Sequence, residues 1–164
     1  MGGLNYDVVI TAENSATAVI AAVPVASTTS TVVVSTSAAP ISLAAAATAD
    51  RTISGIASLN PVSSTEVAYV TAKQSFAAGP TVAIKYQGAD VTTGAYTLSL
   101  PTVAPQLAPY SATLPLVFAT QTTTTPGTGK YKLEASANGY TTLSILSVDI
   151  SVANQTAVNF ALIP

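Results

Sequence analysis

The chain has 164 residues, enough for one domain of about 100–150 residues with an additional piece beside it. Charged residues make up only 7% and the net charge is −2, which leaves no basic stripe for nucleic acid or anionic lipid. With no cysteine and no histidine, a disulfide framework, thiolate chemistry, an imidazole base and most transition-metal ligands are excluded, so folding must rest on packing.

From the N-terminus, Met1-Gly2-Gly3-Leu4 has neither the charged region nor the apolar region of a signal peptide, which points to a mature or shortened chain. Tyr6, Val8, Ile10 and Ala12 then alternate with Asp7 and Thr11, the period-two pattern of a half-buried strand. Apolar positions continue through Val23, Val25, Val32 and Val34. Residues 37–50 read as an Ala/Ser/Thr linker: alanine favours helix locally, but Pro40 and the small polar residues suit an extended connector, with one strand near Ile41 to Leu43. The apolar run from Ile41 to Ala47 is far shorter than the ~20 residues of a membrane span.

Further strands are expected at residues 52–58, 66–73, 81–87, 95–100, 113–120, 141–152 and 156–163. In these, Val67/Tyr69/Thr71, Val82/Ile84/Tyr86 and Tyr96/Leu98/Leu100 are each placed on one face. Tyr131, Leu133, Ala135 and Ala137 alternate against Lys132, Glu134, Ser136 and Asn138. Turn chemistry separates the strands at Asn60-Pro61, Gly79-Pro80, Gly88, Thr93-Gly94, Pro126-Gly127, Asn138-Gly139 and Ala153-Asn154, and residues 121–129 read as a loop tip. Strands at this spacing without an amphipathic helical window indicate an all-β sandwich or barrel.

The N-terminal stretch also overlies the C-terminal one without a gap, from Tyr6 on Tyr131 to Val33 on Val158. Identities fall at Tyr6/Tyr131, Ala12/Ala137, Thr17/Thr142, Ile20/Ile145, Val23/Val148, Thr31/Thr156 and Val33/Val158. This is the mark of an internal repeat. The C-terminal copy has a full domain in front of it. Residues 1–36 are therefore expected to be the second half of another sandwich, with the chain beginning inside a domain.

Four segments carry a family resemblance: Ile53-Ser54-Gly55, Asp90 through Gly94 and Tyr96 to Pro101, Gly129 through Tyr131 to Gly139-Tyr140, and Val158-Asn159-Phe160-Ala161-Leu162. Together they resemble carboxypeptidase regulatory-like domains, small transthyretin-like β-sandwiches of secreted bacterial proteins. The chain is also similar to the C-terminal region of a bacterial lipoprotein family of unknown function. The resemblance covers residues 51–163. It implies an immunoglobulin-like or transthyretin-like sandwich over 51–164 and an extracellular or cell-surface location, and it is silent on activity. One departure stands out: the Gly-x-Tyr strand occurs at both Gly94 and Gly129, with a Pro-rich excursion between them (Pro101, Pro105, Pro109, Pro115). A single enlarged sandwich is the expected outcome.

The carboxylates Asp7, Glu13, Asp50, Glu66, Asp90, Glu134 and Asp149 are scattered singly, with no calcium-loop spacing. No catalytic, cofactor-binding or metal residue is assigned, and the expected protein is not an enzyme. Glu66 and Asp90 are placed at strand ends and turns. Lys132 and Glu134 are placed on a solvated face, which argues against an internal isopeptide bond from Lys132 to Asn159. Most tyrosines fall on inward positions, leaving Tyr110 and Tyr140 as candidate ligand-facing aromatics. The triplet Asn154-Gln155-Thr156 is a weak glycosylation signal.

The strongest functional signal is the half-domain. Its apolar positions Tyr6, Val8, Ile10, Val23, Val25, Val32 and Val34 cannot be buried by an isolated hairpin. Three covers remain open: a neighbouring subunit, the chain's own main domain, or a preceding segment. The first gives a non-enzymatic extracellular structural protein, a surface-fibre subunit polymerised head-to-tail with its own kind by strand addition. The alternative is an adhesion or carbohydrate-binding module that meets a surface glycan or protein.

Overall fold

The computed structural model describes residues 3–26, 31–46, 48–76, 81–120 and 129–164. The expected Gly79-Pro80 turn and all but the last residue of the 121–129 loop lie outside these residues. Among the described residues the chain is all-β. Its strands are β1 (Leu4–Ile10), β2 (Ala18–Val25), β3 (Arg51–Leu59), β4 (Tyr69–Ser75), β5 (Thr81–Gly88), β6 (Ala95–Leu100), β7 (Gln106–Pro109), β8 (Ala119–Thr120), β9 (Lys130–Ser136), β10 (Leu143–Asp149) and β11 (Phe160–Leu162).

Two sheets build the main body, one in the order β10-β9-β4-β5 and the other β11-β3-β6. Their inward residues meet in one buried cluster. Val70, Ala72, Val82, Ile84, Tyr131, Leu133 and Ala135 come from the first sheet, and Ile53, Ala57, Tyr96, Leu98, Leu100, Phe160 and Leu162 from the second. This is a β-sandwich architecture, held by alternate residues of each strand. Each fully buried large aliphatic side chain in it contributes about 1.5–3 kcal/mol.

The inward parity of two strands differs from the sequence expectation. Val70, Ala72 and Gln74 face the core of β4, while Tyr69 is 48% and Tyr86 71% exposed. The interior opposite β4 is already occupied: Val70 pairs with Ala135 and Ala72 with Leu133, beside the wholly buried Tyr131 and Leu98. With Val70, Ala72 and Gln74 on the inward positions, strand alternation puts Tyr69 on the outer face. A bulge between Ala72 and Lys73 in the β4–β5 ladder then leaves Val82 and Ile84 inside and Tyr86 outside.

The segment leading into β11 is stitched along β3. Ser54 N donates to Gln155 O at 2.9 Å, Val158 N to Ser54 O at 3.1 Å, and the Tyr96 hydroxyl to Val158 O at 2.7 Å. Side-chain oxygens finish the seam: Asn154 Oδ1 accepts from Thr52 N and Asn159 Oδ1 from Ile56 N. The amide carbonyls of Asn154 and Asn159, the two asparagines singled out from the sequence, are thus engaged in the fold. Gly55 permits this approach, since a Cβ there would stand 1.9 Å from Val158 O.

The Pro-rich excursion resolves the doubled Gly-x-Tyr pattern. It leaves the sandwich after β6 and forms β7, which pairs in parallel with β2 in the register Ala18↔Gln106 to Ala21↔Pro109. The third sheet is β1-β2-β7-β8. The expected strand at 113–120 shrinks to β8, and β7 was not anticipated because Pro105 and Pro109 obscure so short a strand. Proline is compatible with a strand end, where no ladder donor is lost. No strand forms near Ile41 to Leu43; that part of the linker is extended and fastened at Ala44 O and Ala46 N to the β1–β2 turn.

Gly55→Ala should destabilise the sandwich by about 1–3 kcal/mol, the cost of forcing a methyl into a closed seam. Urea unfolding would read this as a lower midpoint with an unchanged slope.

Candidate functional site

The two copies of the sequence repeat fold into hairpins with the same register. Tyr6↔Val23, Val8↔Ile20, Val9↔Val19 and Ile10↔Ala18 in β1–β2 match Tyr131↔Val148, Leu133↔Ile145, Glu134↔Ser144 and Ala135↔Leu143 in β9–β10. Both ladders shift at the same place, between the tyrosine row and the next row. The turns agree as well. Ser15 N donates to Ala12 O and Tyr140 N to Ala137 O, each at 3.2 Å. Asn14 (φ 54°) and Gly139 (φ 79°) hold the left-handed position in each, one that glycine and asparagine adopt most readily.

The correspondence extends to the returning segment. Thr141 N donates to Ile163 O at 2.7 Å, and Ala16 N to Ala44 O at 2.8 Å, which lays Ile41 to Leu43 over β11. In the main body β11 pairs in parallel with β3, Phe160↔Ala57 to Leu162↔Leu59. Ile41 to Leu43 have no ladder partner among the described residues. This explains why the expected strand is not one: the returning segment is in place, and among the described residues its ladder partner is not.

The same comparison isolates β1. In the main body β9 is flanked by β10 on one edge and β4 on the other, whereas β1 has β2 on one edge and, among the described residues, is terminal in its sheet. Tyr131 is 1% exposed and donates its hydroxyl to Pro101 O at 2.5 Å. Tyr6, at the equivalent position, is 51% exposed, and Leu4 beside it 65%. An apolar, unpaired edge of this length is a template for another strand.

The remaining candidate residues divide between face and scaffold. Val8 and Ile10 are half-buried, Val23 is buried, and Val25, Val32 and Val34 are half-buried. The opposite face of the hairpin docks on the main body: Val19 belongs to the central core, and Val9 and Leu107 pack against it. Their counterparts in the second copy are the polar Glu134 and Ser144. Tyr110 is half-buried, and its backbone N donates to Ala21 O. Tyr140 is half-buried against the core and donates its hydroxyl to Pro61 O at 2.7 Å. The exposed aromatic pair is instead Tyr69 and Tyr86, with ring centroids 6.5 Å apart. Sequence reasoning missed it because alternation alone placed both inward.

The charged groups are structural in their surroundings. Glu134 sits between Lys73 at 2.6 Å and Lys132 at 3.2 Å. The hydrogen bond from Lys73, aided by Lys132, holds its carboxyl below the usual range. Asp90 Oδ1 accepts from Thr93 N, Thr93 Oγ1 and Thr92 N in the turn before β6, and these bonds lower its pKa. A cleft of about 380 Å³ lies between the β1–β2 turn and β5–β6, with Glu13, Asp50 and Lys85 as its ionisable lining residues. Among the described residues no cluster of three or more metal-ligating side chains occurs, and no helix is long and apolar enough to cross a membrane. No family model, curated protein or solved structure matches the chain.

Stability should be flat near neutrality and fall at both ends of the pH scale. Glu134 is depressed in the fold, so its contribution is present above the ordinary value of 4.5 and lost as pH falls through the lowered one. Tyr96 is pushed by burial from 10.0 up to about 12; the stability of its neutral form is lost as pH rises from the first value through the second. Glu134→Gln should flatten the acid limb while costing within about 1 kcal/mol at neutrality, the scale of a partly exposed pair. Thermal melts across pH would show both limbs.

Proposed function

We propose that the protein is a non-enzymatic structural subunit of an extracellular assembly, joined to its neighbour by strand addition at β1. The observation that carries this reading is the contrast between equivalent positions, Tyr131 covered and Tyr6 exposed on an unpaired edge. Leaving that edge open costs apolar exposure at Leu4 and Tyr6 and leaves backbone groups without ladder partners. Asp7 is the one charge along β1, so the edge has little of the lysine or proline protection that keeps monomers apart. A head-to-tail contact whose rotation does not close into a ring extends into a filament. The motifs at residues 51–163 support a sandwich of the carboxypeptidase regulatory-like type, and with it the cell surface as the setting.

A second reading, a carbohydrate-binding module, is favoured by one observation. Tyr69 and Tyr86 present two rings on an outer sheet face beside Lys73, Lys132 and Glu134, a mixture of stacking surface and polar groups that suits a sugar.

Purified protein should form concentration-dependent filaments in negative-stain images, and the variant Leu4→Lys/Tyr6→Lys should remain monomeric at the same concentrations. Both side chains are exposed, so the pair of changes leaves the core intact. Monomers from both proteins at every concentration would end the assembly reading, and glycan-array binding lost in Tyr86→Ala would replace it.

A further inference from the structure

Each copy of the hairpin has one covered edge and one open edge, and the open edges are opposite ones. In the first copy β7 pairs along the outer edge of β2 and β1 is terminal; in the second β4 pairs along β9 and, among the described residues, β10 is terminal. The pairs Val8↔Ile20 and Leu133↔Ile145 place β10 where β2 stands in the first hairpin. With β7 beside β2, Ile20 is 0% exposed. Its counterpart Ile145 is half-buried, and the next residue, Leu146, is 77% exposed. What β2 has, β10 lacks, just as β1 lacks what β9 has.

The outer side of β10 is a groove. Ile145, Ser147 and Val148 form one wall, and Ala157 and Val158, from the segment stitched along β3, form the other, around about 580 Å³ of open space. The walls are tied beyond each end of β10, where Gln155 Nε2 donates to Asp149 O at 2.8 Å and Thr141 N to Ile163 O at 2.7 Å. Between these ties no ladder joins the two edges among the described residues.

We infer that β1 of a second copy adds to β10 in this groove, so that the sheet β8-β7-β2-β1 of one subunit runs on into β10-β9-β4-β5 of the next. This rests on strand addition at β1 and names the edge that receives it. The other terminal strands are poorer receivers. β8 has two residues and β11 three, while β5 and β6 meet at a corner of the sandwich, where Lys85 Nζ donates to Ser99 O at 3.3 Å. β1 and β10 have seven residues each.

The match extends to the side chains. The exposed half of β1, residues 4–7, equals in length residues 143–146, which correspond to the stretch of β2 that β7 covers. Leu4 and Tyr6 lie on one face of β1 by alternation. Turned into the groove, they meet Ile145, Val148 and Val158, so apolar surface exposed on both partners is buried together. Neither strand carries a lysine or arginine to block the approach. The Asp7 carboxylate is held by Ala22 N at 3.0 Å, and Asp149 lies beside Lys130 at 3.8 Å. Because the two edges differ and each chain holds one of each, the contact is heterologous, and every subunit both gives and receives.

Two blocked variants of the full chain test this by sedimentation. Leu4→Lys/Tyr6→Lys closes β1 and leaves the groove, whereas Ser147→Lys puts a charge into the groove and leaves β1. Ser147 is exposed, so the melting temperature should be unchanged; Ala157→Lys, exposed on the opposite wall, is a second groove block should Ser147→Lys melt lower. Each variant alone should be monomeric. An equal mixture should give a species of two chains and nothing longer, because one variant supplies a free groove and the other a free β1. Filaments or dimers from the groove variants alone would overturn the assignment of β10, as would a mixture that stays monomeric while the unmodified protein polymerises; either result leaves strand addition at β1 standing. An unmodified protein that is monomeric at every concentration would remove strand addition and this inference with it.

Discussion

A β-strand has two edges and two faces, and those that are apolar or unprotected gain most from a partner. That constraint organises this protein. For β9 it is met: β9 has β10 and β4 on its edges, and its inner face is closed by the second sheet through Tyr96, Leu98 and Phe160. The cost of failing to meet it is high, because unpaired backbone groups lose hydrogen bonds and exposed apolar side chains lose burial. Most other features of the chain follow from how the second copy of the same hairpin tries to meet it.

The second copy meets it in part, using material from the main domain. The Pro-rich excursion supplies β7 to the outer edge of β2. The polar face of the hairpin has become apolar, Val9 and Val19 standing where Glu134 and Ser144 stand in the other copy, and that face docks on the central core. Of the three covers open at the sequence level, the chain's own body therefore accounts for one edge, one face and the β2 side of the other face, where Ala18, Ile20 and Val23 are buried. The other edge and the row of Leu4 and Tyr6 remain.

Sparse charge sharpens the consequence. Natural edges are commonly blunted by lysine, proline or bulges, and a chain with 7% charged residues has few to spend there. The lysines it does have are gathered elsewhere, with Lys73 and Lys132 engaging Glu134 and Lys130 facing Asp149 at 3.8 Å. The exposed Tyr69 and Tyr86 lie on a sheet face, where rings are tolerated because the ladder beneath them is complete on both sides of β4.

The sequence by itself determined the all-β class, most strand positions, the turn residues and the repeat. These are local properties: period-two alternation, Asn-Gly and Asp-x-x-x-Gly turns, and identical residues at equal spacing. It also placed Tyr6, Val8 and Ile10 on one face, since that needs only the alternation. What it did not determine was parity and partnership. Tyr69 and Tyr86 alternate as core residues do, and only the pairing of Val70 and Ala72 with the buried Ala135 and Leu133, with the bulge in the β4–β5 ladder, puts them on the outer face. Residues 106–109 and 41–43 are both short; the first became a strand because β2 lay beside it, and the second did not because, among the described residues, nothing took the place of β3. A short strand exists only when a neighbour supplies its hydrogen bonds, so its existence is settled by tertiary structure.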